Sequence, residues 1–176
     1  MWDKEIREQL LEKRQQAYDG GGASRIEKQH ANGKLTARER LDILFDKDTF
    51  VEVNTLMQSH QRDICLPTPH IPGDGVVTGY GQINGRWVFA AAEDFTVVGG
   101  TLGEYHSQKI IRVMDMALRM RTPFVMVNDS GGARIEEGIS SLSGYSGIFL
   151  RNTQASGVIP QIAVIAGPCA GGACYS

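Results

Sequence analysis

Two apolar runs without polar alternation constrain this chain most. Phe124-Val125-Met126-Val127-Asn128, entered through Pro123, and residues 158–166 both lack the every-second-residue polar pattern of a half-wet strand. Such runs fit strands buried on both faces, as in a parallel sheet covered by helices. The segments around them agree. Glu104–Met120 sets Ile110, Met114, Ala117 and Leu118 on one helical face, and residues 140–156 do the same with Leu142, Tyr145, Phe149 and Leu150. Strand, helix, strand, helix, strand predicts an α/β fold with right-handed crossovers. Ahead of it, Val76–Ile83 and residues 86–92 flank Asn84-Gly85, the preferred pair of a type I′ turn, and predict a hairpin.

The N-terminal quarter reads differently. Its first 48 residues hold half of the acidic and more than half of the basic residues. Trp2, Ile6 and Leu10 repeat every four positions and predict one apolar stripe on a helix, which Gly20-Gly21-Gly22 ends. Ser24 with Glu27, and Thr36 with Glu39, have capping-box spacing and predict two short helices. The basic residues Lys34 and Arg38 read either as part of a charged solvent face or as phosphate contacts. Pro67, Pro69, Pro72, Gly73 and Gly75 mark a loop into the main domain. The division expected is a helical extension over 1–57 and an α/β domain over 58–176. Ser176 falls where a helix opens, so this domain is expected to be truncated.

Composition excludes several classes. With 18 Lys+Arg against 20 Asp+Glu the net charge is -2, which leaves no electrostatic footprint for nucleic acid. No apolar run approaches the roughly 20 residues of a membrane helix. Met1-Trp2-Asp3-Lys4-Glu5 has neither the apolar core of a signal peptide nor the Arg-rich character of a transit peptide. Three cysteines, Cys65, Cys169 and Cys174, with no CxxC argue against a disulfide framework or a zinc site. A reducing, cytoplasmic setting without a bound metal is the expectation. Glycine stands apart, with 21 in 176 residues against a usual ~7%.

Many of those glycines cluster after the two apolar runs. Asn128-Asp129-Ser130-Gly131-Gly132-Ala133-Arg134-Ile135 follows the first, and Gly167-Pro168-Cys169-Ala170-Gly171-Gly172-Ala173 the second. Sites in α/β sheets lie at such strand ends. A turn without side chains lets backbone approach a ligand, and free N–H groups at a helix start favour negative charge. Two such turns side by side can aim two N–H donors at one oxygen, which is an oxyanion hole. The bland alternative is tight helix–strand packing. Asp129-Ser130-Gly131-Gly132 looks like a serine-protease nucleophile, but it lies in an α/β pattern and lacks a histidine partner. No GxxxxGK[ST] occurs, and Gly99-Gly100-Thr101-Leu102-Gly103 lacks GxGxxG spacing. Asp129, Glu136 and Glu137 read as catalytic acids or as groups favouring a helix dipole, and Arg134 as an ion-pair partner or an anion contact.

The ordered motifs resemble a known family. Lys34-Leu35-Thr36-Ala37-Arg38-Glu39-Arg40-Leu41, Gly73-Asp74-Gly75-Val76-Val77-Thr78-Gly79, Asp94-Phe95-Thr96-Val97, Gly99-Gly100-Thr101-Leu102-Gly103-Glu104, the two glycine turns and Ala155-Ser156-Gly157-Val158-Ile159-Pro160-Gln161 occur in sequence. Together they resemble the carboxyltransferase subunits of biotin-dependent acyl-CoA carboxylases and decarboxylases. That family includes propionyl-CoA carboxylase β and methylmalonyl-CoA decarboxylase α subunits. The resemblance implies a crotonase-like (ClpP/crotonase) fold and transfer of a carboxyl group between carboxybiotin and the α-carbon of a short acyl-CoA. It implies biotin on a separate carrier protein or domain, a homo-oligomer, and a second oxyanion hole from the C-terminal half of a neighbouring subunit. The chain alone is then expected to be inactive. By the crotonase pattern the donors are the N–H groups of Ala133 and Gly172, with Gly131, Gly132 and Gly171 shaping the turns. Gly99, Gly100 and Gly103 would lie near the CoA, and Lys34, Arg38 and Arg40 are candidates for its phosphates. The family's biotin ureido group takes the α-proton, so no catalytic base is expected. Two alternatives stand beside this reading: a biotin-independent crotonase-type decarboxylase or hydrolase, disfavoured by Tyr175 where such enzymes carry a Glu, and a non-enzymatic acyl-CoA-binding protein.

Overall fold

The computed structural model describes residues 4–59 and 71–176; Trp2, Cys65, Pro67 and Pro69 lie outside the described residues. A five-stranded sheet in the order β1-β2-β3-β4-β5 organises the chain. Its strands are β1 (Val51–Glu52), β2 (Val76–Ile83), β3 (Arg86–Glu93), β4 (Phe124–Ser130) and β5 (Gln161–Cys169). The first three pair antiparallel, and β3, β4 and β5 run parallel. Among the described residues five α-helices accompany them: α1 (Lys4–Tyr18), α2 (Ala23–Ala31), α3 (Ala37–Leu44), α4 (Glu104–Met120) and α5 (Ile139–Ala155).

The β2–β3 hairpin turns at Asn84 (φ 51°) and Gly85 (φ 74°), both left-handed as a type I′ turn requires. Asp46, just after α3, accepts from the N–H groups of both turn residues, at 3.0 and 2.8 Å. Alternation along β4 divides the core. Phe124 and Met126 face α4 and α5, packing with Phe89, Ile110, Val113, Met114 and Ile148. Val125 and Val127 face α3, packing with Leu41, Phe45, Val88 and Ala90. β4 is therefore buried on both faces, as its continuous apolar run predicts.

The second apolar run departs from that expectation. β5 begins at Gln161, because residues 156–159 form the turn that ends α5, with Val158 and Ile159 both donating to the Ala155 carbonyl. Ile162 and Ile165 are 50% and 61% exposed. β4 has a strand on either side, whereas β5 is the sheet edge and no described element crosses it. The strand's apolar face is thus unburied here.

The N-terminal helices also differ in part from expectation. Thr36 and Glu39 form the predicted capping box at the start of α3: Glu39 accepts from Thr36 N–H at 2.7 Å, and Thr36 Oγ1 accepts from Glu39 N–H at 3.4 Å. Ser24 does not cap α2, whose N-cap is Gly22, so the Ser24–Glu27 pair lies within the helix. Ile6 on α1 is exposed, and Ala17 is the buried residue of that helix. Residues 37–52 are built into the sheet layer: α3 supplies Leu41 to the core and β1 pairs with β2. Among the described residues no helix is long and apolar enough to cross a membrane.

Candidate active site at two glycine turns

The parallel strands β4 and β5 end side by side, and their following turns meet. Gly131, Gly132, Ala133, Gly171 and Gly172 line one cleft of about 500 Å³, walled by Leu142, Tyr145, Ser146 and Phe149 of α5. Neither turn opens an α-helix directly, contrary to the sequence reading. Each leads into a short 3-10 turn, Ile135–Glu137 after β4 and Gly171–Tyr175 after β5. The free donors therefore come from loop and 3-10 backbone rather than from a helix start.

The ladder shows which donors are free. Leu102 forms a parallel bridge with Ala133, donating to Gly132 C=O at 2.9 Å and accepting from Arg134 N–H at 2.9 Å. Both bonds use the neighbours of Ala133, so its own N–H faces the other side. In the second turn, hydrogen bonding begins with Ala173 N–H on Ala170 C=O, which leaves Gly172 N–H ahead of the first bond. Neither N–H has an acceptor among the described residues. Two unpaired donors at one cleft with a mostly apolar lining are suited to an oxygen that gains negative charge.

Glycine is required here for contact as well as conformation. Gly132 has φ 99°, and a Cβ there would stand 2.9 Å from the Ala170 carbonyl of the other turn. A Cβ on Gly172 would press into the Tyr145 ring at 2.8 Å. The turns are close-packed against each other because neither carries a side chain at these points.

The Gly99–Gly103 loop lies against the first turn. Gly131 N–H donates to Gly99 C=O at 2.9 Å, and Ser130 Oγ donates to Gly100 C=O at 2.6 Å. Gly103 faces Arg134 and Glu137, leaving room for their ion pair. The three candidate cations have different surroundings. Arg38 is paired with Glu52 at 2.7 Å and stacked on Tyr18. Arg40 is mostly buried and paired with Asp129 at 2.6 Å. Lys34 is more exposed, lies 3.8 Å from Asp129 and sits over the Phe95 ring.

Beneath the turns lies a layer of buried polar groups. Arg134, open to two readings from sequence, is fully buried and paired with Asp74 at 2.5 Å and Glu137 at 2.6 Å. Burial disfavours its charge, but the two carboxylates outweigh that and keep it protonated. It also donates to Thr101 C=O at 2.9 Å. Glu137 accepts from the N–H of Glu104 at 2.6 Å. Asp129 is held by Arg40, by Lys34 and by Gln29 at 3.1 Å. Both carboxylates thus brace the turns rather than face the cleft.

Three buried residues of this layer, Glu93, His106 and Lys109, carried no signal in the sequence, and Asp74 stood there only within a motif. Glu93 accepts from Asp129 N–H at 3.2 Å, and burial pushes its carboxyl up to about 8. His106 lies 3.8 Å from Glu93, and burial holds it far below the usual histidine range, so it is neutral. Lys109 donates to Gly73 and Val76 carbonyls at 2.7 and 2.5 Å, and burial lowers it to about 8. Asp74, left-handed at φ 50° between two glycines, accepts from His106 N–H at 2.7 Å. The run Gly73-Asp74-Gly75 was visible, but its partner Arg134 lies 60 positions away.

Comparison with known proteins gives the geometry its context. Residues 28–176 match the carboxyl transferase domain family. The chain is 56% identical to the methylmalonyl-CoA decarboxylase subunit alpha of Veillonella parvula, over 96% of this chain and 33% of that one. It is 53% identical to the propionyl-CoA carboxylase beta chain of Cereibacter sphaeroides, over 98% of this chain and 34% of the other. In structure it superposes on the transcarboxylase 12S hexamer subunit, solved with methylmalonyl-coenzyme A and methylmalonic acid bound. That match has a TM-score of 0.94 at 53% identity and covers 100% of this chain and 34% of the other. The chain thus spans about a third of the length of the relatives it matches. The fold is crotonase-like, as the sequence motifs implied. With a family match over most of its length and this fold, the chain belongs to the carboxyl transferase domain family.

Proposed function

We propose that this chain is the acyl-CoA side of a biotin-dependent carboxyltransferase acting on a short acyl-CoA such as propionyl- or methylmalonyl-CoA. The observation that carries the reading is the pair of unpaired donors, Ala133 and Gly172 N–H, at one cleft between two glycine turns. Moving a carboxyl group at an α-carbon passes through a thioester enolate, and its oxygen gains charge. Two fixed N–H donors stabilise that oxygen without needing to reorganise. Gly131, Gly132 and Gly171 let the backbone come close enough. Among the described residues no carboxylate or histidine lines the cleft, and burial raises the Tyr145 hydroxyl, so it stays protonated. The chain's own role is then to bind and polarise the thioester.

Biotin on its carrier supplies the carboxyl acceptor or donor when bound. The described residues form one N–H cradle, which fits a thioester oxygen, so the biotin ring is given no residues here. The C-terminal half of a neighbouring subunit in a homo-oligomer would hold it. For the CoA, the loop of Gly99, Gly100 and Gly103 lies beside the first turn. Lys34 is the favoured phosphate contact of the three cations, since Arg38 and Arg40 are engaged by Glu52 and Asp129. The cytoplasm is the compartment proposed.

The test uses the full reading frame that carries these residues. Methylmalonyl-CoA decarboxylation is followed with and without free biotin, for the unaltered protein and for Gly172→Val. Biotin-dependent turnover that falls by about 10²-fold or more in the variant is the expected result, as for loss of one oxyanion donor. Turnover indifferent to biotin would move the protein to the biotin-independent crotonase enzymes. CoA binding without turnover of any acyl-CoA would make it a binding protein.

A further inference from the structure

The second glycine turn is bracketed by two thiols. Cys169 ends β5, and Cys174 lies in the 3-10 turn, with Gly171 and Gly172 between them. The turn folds the chain back so that Cys174 Sγ sits 2.7 Å from the Cys169 carbonyl oxygen. The thiols are also close enough to interact with each other, and burial followed by this contact raises the Cys169 thiol. Cys174 is exposed and Cys169 partly buried.

We propose that Cys169 and Cys174 form a redox modification site, oxidised by a hydroperoxide to an intramolecular disulfide that clamps the Gly171–Gly172 turn. Three features make a bridge favourable. The native turn already brings the two residues together, so little chain entropy is lost on closing the ring. Gly171 has φ 57° and open space where a Cβ would stand, so the turn can adjust as the sulfurs approach. Among the described residues Cys174 is the more exposed of the two, so it is placed as the sensing thiol and Cys169 as the resolving one.

The chemistry balances. The Cys174 thiolate attacks one oxygen of hydrogen peroxide and breaks the O–O bond; with the thiol proton, one water leaves and a sulfenic acid remains. The Cys169 thiolate then attacks that sulfur, the S–S bond forms, and the hydroxyl leaves with the second thiol proton as a second water. Two electrons pass from the sulfurs to the peroxide. A dithiol reductant reverses the change by thiol–disulfide exchange.

The bridge would pull on the backbone between its ends and displace Gly172 N–H from the cleft. That consequence rests on the carboxyltransferase reading; the bridge itself does not. The experiment treats the full reading frame with hydrogen peroxide, alkylates the remaining thiols and digests with trypsin. The expected result is that the peptide beginning at Asn152 is two hydrogens lighter and unalkylated at both cysteines, and that dithiothreitol restores both. Turnover should fall by about tenfold or more on oxidation and recover on reduction, as for a displaced oxyanion donor. A Cys174→Ser protein should keep Cys169 alkylatable after the same treatment. Alkylation of both cysteines after peroxide, or added oxygen on Cys174 with Cys169 still alkylatable, would overturn the proposal. A reversible bridge in a protein without carboxyl transfer would sink that reading and leave the redox site standing.

Discussion

The turn after β4 and the turn after β5 carry the same Gly-Gly pair, yet they are held by different means. The first is fixed from below and from the side. Arg134 joins Asp74 and Glu137, Asp129 joins Arg40, and the Gly99–Gly103 loop bonds along its flank. The second is fixed mainly by the first: Ala170 N–H donates to Ser130 C=O, and Gly172 rests on the Tyr145 ring. The first turn is therefore a frame, and the second takes its place from that frame. Their geometry should fail in different ways when each is disturbed.

The largest effect is expected where the frame is broken. Arg134→Met leaves Asp74 and Glu137 buried without a cation, and loss of one partner of a buried pair costs about 3–5 kcal/mol. Urea unfolding of the full reading frame should show a midpoint lowered to match. An unchanged midpoint would mean that the ion pairs do not hold the first turn. Next comes Gly132→Ala, strained by its φ of 99° and by the Ala170 carbonyl. Its turnover should drop by about 10²-fold or more. Full activity would show that the two turns need not touch.

The pH dependence sharpens the same contrast, since Glu93 lies under the first turn. Burial raises its carboxyl from 4.5 to about 8. Below pH 4.5 it is protonated folded and unfolded. As pH rises from there toward 8, the unfolded chain ionises while the folded protein keeps its proton, so folding takes up a proton and stability declines. Glu93→Gln removes this loss. Unfolding free energies of the two proteins should diverge between pH 5 and 8 in favour of the variant, by on the order of a few kcal/mol at most. Parallel profiles would show that Glu93 ionises freely in the fold. The smallest effect is expected at Gly171 of the second turn. Gly171→Ala meets open space but must adopt φ 57°, at a cost of roughly 1 kcal/mol. A loss as large as that of Gly132→Ala would show that the second turn is as rigid as the first.

Several local signals in the sequence proved sound. The helix Glu104–Met120 has the bounds its periodicity implied, the Asn84-Gly85 hairpin formed, and Thr36 caps α3. These features depend on residues within a few positions of one another. The glycine turns were equally plain, since each follows an apolar run. Most of what could not be read depended on partners far along the chain. Residues 158–166 have a buried strand's composition, but composition does not say whether a neighbour covers it. Arg134 stayed open between an ion pair and an anion contact because, beyond nearby Glu137, its other partner Asp74 lies 60 positions away. Ser24 and Glu27 had the right spacing, but Gly22 had already begun the helix. Glu93, His106 and Lys109 are ordinary residues in sequence and become notable only when the fold removes water from them.

The hold of the N-terminal helices on Asp129 has a temporal side. Gln29 and Arg40 reach it across 100 and 89 positions of chain. During synthesis these two residues leave the ribosome long before their acceptor exists. At a usual elongation rate of about 5–20 residues per second, they wait roughly 5–20 seconds for it. The first turn thus closes late, when its oldest part meets its newest.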